Sequence, residues 1–106
     1  MKYKNTLEKG SVRYIIFRED RSWYGVALEF NIVVEGDDSE VVHFNLQEAI
    51  NGYVESIKKI KGTRTDAPYA LNQKPDEEYE TIWNKLSANQ PVPSPIQIKY
   101  YGVTCV

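Results

Sequence analysis

The hydrophobic pattern of this chain changes period once, at Gly36-Asp37-Asp38-Ser39. Before that point apolar residues fall at the strand period of two; after it they fall at helical spacings of three and four. Val12-Arg13-Tyr14-Ile15-Ile16-Phe17 is β-branched and aromatic, with apolar residues on both faces, so it reads as a central strand. A charged turn, Arg18 to Ser22, leads into Trp23 to Phe30. There Tyr24, Val26, Leu28 and Phe30 form one apolar face, and Trp23, Gly25, Ala27 and Glu29 form the other. Asn31 suits a bend, and Ile32 to Glu35 makes a third strand. Gly36 is expected to take a positive φ to leave it.

The helix that follows is expected to run to about Lys61. Its stripe is Val42, Leu46, Ala49, Ile50, Tyr53, Val54, Ile57 and Ile60. Asp37, Asp38 or Ser39 can cap it, and Asp37 with Glu40 has the spacing of a capping box. Glu40 and Glu48 towards its start, and Lys58, Lys59 and Lys61 at its end, complement the helix dipole. Gly62 is a natural stop. Gly52, mid-helix, suggests close approach to the sheet. Residues 62–74 read as a loop. Tyr79, Ile82, Trp83 and Leu86 give one face of a short helix, with Pro75 suited to its first turn and Asn89 to its end. Pro91, Pro93 and Pro95 precede a last strand in which Ile96, Ile98 and Tyr100 alternate with Gln97 and Lys99.

The expected fold is α+β: a three-stranded antiparallel β-β-β-α core with the long helix packed on the sheet, then a short helix and a C-terminal edge strand. The 106 residues suffice for one domain, which at this size buries roughly two-thirds of its unfolded surface. Residues 1–10 read as a flexible lead-in, 12–61 as the core and 62–106 as a C-terminal extension. Val12, Tyr14, Ile16, Val26, Leu28, Leu46, Ile50, Val54 and Ile57 are the expected buried set.

Trp23-Tyr24-Gly25-Val26-Ala27, then Val34-Glu35-Gly36-Asp37, then Leu46-Gln47-Glu48-Ala49-Ile50 resemble the HicB-like antitoxin domain, which has a partial ribonuclease-H-like core. The match spans residues 12–61. Phe30-Asn31-Ile32-Val33 stands where the family carries a Pro-Gly-Cys-like element. The C-terminal extension looks like neither a helix-turn-helix nor a ribbon-helix-helix DNA-binding domain. The resemblance implies a binding protein that neutralises a small ribonuclease toxin, or a stand-alone relative of one. The alternatives are a self-associating structural domain and, less favoured, a metal-dependent nuclease.

Chemistry is narrowly bounded by composition. One Cys and one His exclude a disulfide framework and multi-His or multi-Cys metal sites. A formal net charge of −2 argues against nucleic-acid binding through bulk charge. Asp20, Glu29, Glu35, Asp37, Asp38 and Glu48 are the carboxylates available to a two-metal nuclease, and turn, cap or surface roles account for them. His43 has no nucleophile near it in sequence, Cys105 is penultimate, and Lys58, Lys59, Lys61 and Arg64 suit a solvated helix end. No catalytic residue, metal or cofactor is expected, so the chain is not read as an enzyme, and direct nucleic-acid binding is not expected.

Recognition is the remaining role. Asp76, Glu77 and Glu80 lie in an acidic run, Asp76-Glu77-Glu78-Tyr79-Glu80, that complements a helix start or faces a basic partner. Trp23 and Tyr101 fall opposite apolar faces and suit interface anchors. The last strand, with Ile98, Tyr100 and Tyr101 and Lys99 as its single guard, is expected to lie at an edge and to pair with a second copy, giving a dimer or larger even-numbered assembly. No apolar run reaches membrane-spanning length and the N-terminus carries no secretory apolar region, so the cytoplasm is the expected location.

Overall fold

The computed structural model describes residues 10–59, 73–92 and 96–105. The lead-in through residue 9, Ile60, the expected stop at Gly62, most of the 62–74 loop, the 58–64 basic cluster's side chains, Pro93 and Pro95 lie outside them.

Three strands, β1 (Ser11–Glu19), β2 (Ser22–Ala27) and β3 (Ile32–Gly36), precede helix α1 (Ser39–Lys59). Helix α2 (Glu77–Ser87) and strand β4 (Gln97–Cys105) follow. The fold is α+β, with one antiparallel sheet in the order β3-β2-β1-β4. β1 is central, which explains its unbroken apolar run: Ile15, Ile16 and Phe17 are consecutive and all buried.

Burying consecutive residues of one strand requires cover on both faces of the sheet. The first face packs Val12, Ile16, Ala27 and Phe30 against Val42, Leu46, Ile50 and Val54 of α1. The second packs Ile15, Phe17, Val26 and Leu28 against Ile82 of α2. Burying an aliphatic side chain of this size contributes about 1.5–3 kcal/mol, so each helix is held mainly by its apolar stripe.

This divides the expected core. Val12, Ile16, Leu46, Ile50 and Val54 are buried on the α1 side, with Tyr14 and Ile57 half-buried against them. Val26 and Leu28 are buried too, but against α2. β2 ends at Ala27, and residues Leu28 to Asn31 form a turn in which the Asn31 amide donates to the Leu28 carbonyl at 3.2 Å. That turn breaks the alternation and sends Phe30 to the first face, away from Tyr24, Val26 and Leu28. Asn31 takes φ 51°, and Asp20, in the two-residue β1–β2 turn, takes φ 58°. Both residue types tolerate the left-handed region.

Gly36 does not take a positive φ; it stays in β3, opposite Trp23. Space accounts for it, because a Cβ there would stand 3.0 Å from Cγ2 of Val42. Gly25 is hemmed in on more sides: its Cβ would meet Ile16, Val34 and Val42 side chains, each at 3.1 Å, so its bare Cα lets α1 close on β2. Gly52, by contrast, faces open space and marks no contact with the sheet.

The α1 cap is Asp38, whose Oδ1 accepts from the amides of Glu40 (2.8 Å) and Val41 (3.3 Å). The expected Asp37–Glu40 box does not form; the Glu40 carboxylate accepts instead from Tyr100. α2 is capped by Asp76 and closes on Asn89 at φ 59°. There the Asn89 amide donates to the Leu86 carbonyl and the Gln90 amide to Lys85, a Schellman closure.

β4 also departs from simple alternation. Ile16 pairs with Tyr100 but Phe17 with Ile98, so Lys99 is an extra residue in β4. A bulge of this kind turns the side chains on its two flanks to opposite faces. Ile98 therefore joins the second core and Tyr100 the first, although their spacing in sequence places them on one face.

Candidate functional site

Trp23 is not an exposed anchor; it is half-buried and packs against the first core. Ile98 is likewise a core residue. Tyr100 lies on the first face, its hydroxyl donating to Glu40 Oε1 at 2.6 Å and its ring 5.2 Å from that of His43. The hydrogen bond to Glu40, more than burial, raises the Tyr100 pKa above the ordinary phenol range. Asp76, Glu77, Glu80 and Tyr101 collect on the second face with α2, and Tyr101, 48% exposed, meets Trp83 edge-on at 5.9 Å.

The acidic run at the start of α2 is split in two by Arg13. This side chain leaves the second face of β1 and is about four-fifths buried. Its Nε donates to Glu29 Oε2 at 2.6 Å, while Nη1 and Nη2 reach the two Glu80 oxygens at 2.8 and 2.9 Å. The Arg13 amide also donates to Glu29 Oε1 at 2.7 Å, and the guanidinium lies 5.4 Å from the Trp83 ring centroid. The bond to Glu80 leads in raising the Arg13 pKa; burial opposes it and Glu29 adds to it. Glu80 thus fastens α2 to the sheet and is neutralised there. Asp76 is occupied as well, its Oδ1 accepting the Glu78 amide at 3.0 Å.

What remains is a set of carboxylates engaged neither by a cation nor by a helix cap. Among the described residues, the ion pairs are those of Arg13 with Glu29 and Glu80. Glu77 and Glu78 are exposed on the first turn of α2, and Glu35 is exposed on β3. Two half-buried tyrosines, Tyr24 and Tyr79, mark where this surface converges. The Tyr79 pKa is raised first by burial and then by Glu78, Asp76 and Glu19. That of Tyr24 is raised by burial, then by Glu35, with Glu19 a smaller contributor. Both phenols therefore keep their proton at neutral pH and remain hydrogen-bond donors. Phe17 joins them from beneath, with ring centroids 5.5 Å from Tyr24 and 6.2 Å from Tyr79. The result is an acidic face with an aromatic floor.

The residues weighed for catalysis are dispersed. Glu29 is held by Arg13, Asp38 caps α1, Asp20 sits in the hairpin turn, and Asp37 and Glu48 are exposed. Among the described residues no three of His, Cys, Asp and Glu come together as a metal site. His43 is stacked between Tyr14 and Tyr100 on the first face. Cys105 alternates onto the second face of β4, so the two do not form a pair. The residue that sequence reasoning missed is Arg13. Its one signal is a lone cation inside an apolar strand, and its partner Glu80 is 67 positions away. No helix among the described residues is long and apolar enough to cross a membrane.

Comparison with protein-family models, with curated proteins and with solved structures finds no match to this chain.

Proposed function

We propose that this chain is a HicB-like antitoxin-type binding domain that occludes a small basic ribonuclease through the face built by α2, β2 and β3. The observation that carries this reading is the separation of roles among the acidic residues. Glu29 and Glu80 are consumed by Arg13 in holding α2, and Asp76 by the helix cap. Glu19, Glu35 and Glu78 are left around two tyrosines, and Glu77 is exposed on the same turn of α2 as Glu78. A face of one sign steers an oppositely charged partner, and tyrosines supply contact area once it docks. A ribonuclease must bind a polyanion, so its RNA-binding surface is basic and fits this face. The domain acts by covering that surface and performs no hydrolysis itself, and its setting is the cytoplasm.

The test is capture from the native host with the wild-type chain and with Glu77→Lys/Glu78→Lys. A small basic protein that cleaves RNA should be retained by the wild type. Its association rate with the charge-reversed variant should fall by about 10-fold or more at low salt. Equal rates for both forms would count against this face.

A further inference from the structure

We propose that the outer edge of β4 pairs antiparallel with β4 of a second copy of this chain, about a two-fold axis passing at Gly102. Among the described residues β4 has a neighbour on one side only, β1. The direction of its free backbone groups follows from β1. The Arg13 carbonyl accepts from Leu28 at 2.9 Å and the Arg13 amide donates to Glu29, so both Arg13 backbone groups point towards the β2 side. Val103 lies opposite Arg13, and in an antiparallel ladder such a pair faces away from each other together. Val103 therefore turns its N–H and C=O to the free edge, and Tyr101 and Cys105 do the same. Gly102 and Thr104 spend theirs on β1.

The side chains point to the same strip. Tyr101 and Val103 are 48% and 53% exposed on the second face. On the first face Phe44 is 65% exposed. It lies on the α1 flank between Glu40, bonded to Tyr100, and Gln47, bonded to Thr104 at 3.2 Å, which sets it level with Gly102. Unpaired backbone is thus bordered by apolar groups on both sides.

A second copy is the occupant that this strip fits. With the axis at Gly102, Tyr101 lies opposite the partner's Val103 and Val103 opposite the partner's Tyr101. These are the residues with outward N–H and C=O groups, so each exchanges two hydrogen bonds. The cross-strand pair is aromatic against β-branched, a favourable combination. Tyr100 to Cys105 carries no charge, so like charges do not meet, and the bulge at Lys99 falls outside the paired stretch. Phe44 of each copy approaches the axis from the first face. Ile98 and Tyr100, expected in sequence as edge contacts, are turned inward and play no part. This inference is independent of the acidic face, which lies at the other side of α2.

The test combines mass and amide exchange. Light scattering across the micromolar range should give twice the chain mass for the wild type. Val103→Pro removes an outward N–H that β1 does not use, and Val103→Lys places a charge at the seam. Both should give the monomer mass with unchanged circular dichroism. In the wild-type dimer the Tyr101 and Val103 amides should exchange slowly, and in Val103→Lys the Tyr101 amide should exchange fast while Gly102 stays protected. A wild-type monomer throughout that range would overturn the inference. So would a dimer that survives both substitutions, or Tyr101 and Val103 amides that become protected only when a different protein is added.

Discussion

Arg13→Met should destabilise the protein by about 2–4 kcal/mol, read as a shift in the denaturant midpoint with little change in slope. The substitution keeps an unbranched apolar stem and removes the guanidinium, which also lies over Trp83. It leaves Glu29 and Glu80 facing each other without a cation, at side-chain exposures of 15% and 32%. Removing one partner from a largely buried ion network costs more than the network contributes, because the stranded charges remain poorly solvated. Partial solvent access places the value below that of a fully buried pair. The triple substitution Arg13→Met/Glu29→Gln/Glu80→Gln should recover much of the loss. If Arg13→Met alone costs under about 0.5 kcal/mol, within the range of an ordinary surface change, the clamp is not what fixes α2.

Ile82→Ala should cost about 2–5 kcal/mol. Ile82 is 1% exposed and is the single fully buried residue of α2. Truncating it opens a cavity against Ile15, Phe17, Val26 and Leu28, where Tyr79, Trp83 and Leu86 of the same helix give only partly buried cover. Ile50→Ala, on the opposite face, should fall in the same range. Equal penalties identify a sheet that needs both helices. A large loss for Ile50→Ala with a negligible one for Ile82→Ala would make α2 a peripheral attachment, and the acidic face with it.

The change of hydrophobic period at Gly36 made three strands and a long helix legible, because periods of two and of three-to-four cannot share one backbone geometry. The stripe Tyr79, Ile82, Trp83 and Leu86 disclosed α2 for the same reason. The double-sided core was harder to see. Val26 and Leu28 form an apolar face in any reading, but periodicity does not say which helix covers it. Local backbone irregularities erased other signals. The turn at Leu28 to Asn31 moved Phe30 to the opposite core, and the bulge at Lys99 separated Ile98 from Tyr100. Neither leaves a mark in side-chain alternation. The acidic run was conspicuous, yet its division into a structural half and a displayed half depends on Arg13, which meets Glu80 only after the chain has folded.

The claim that this domain binds in order to inhibit is tested most directly by titrating it into RNA cleavage by the basic protein it retains. Cleavage should fall to background at a one-to-one ratio of chains. The domain alone, with RNA and Mg²⁺ or Mn²⁺, should leave the RNA intact. Cleavage that persists in the saturated complex would contradict the account, as would RNA hydrolysis by the domain itself that Asp20→Asn or Asp37→Asn abolishes.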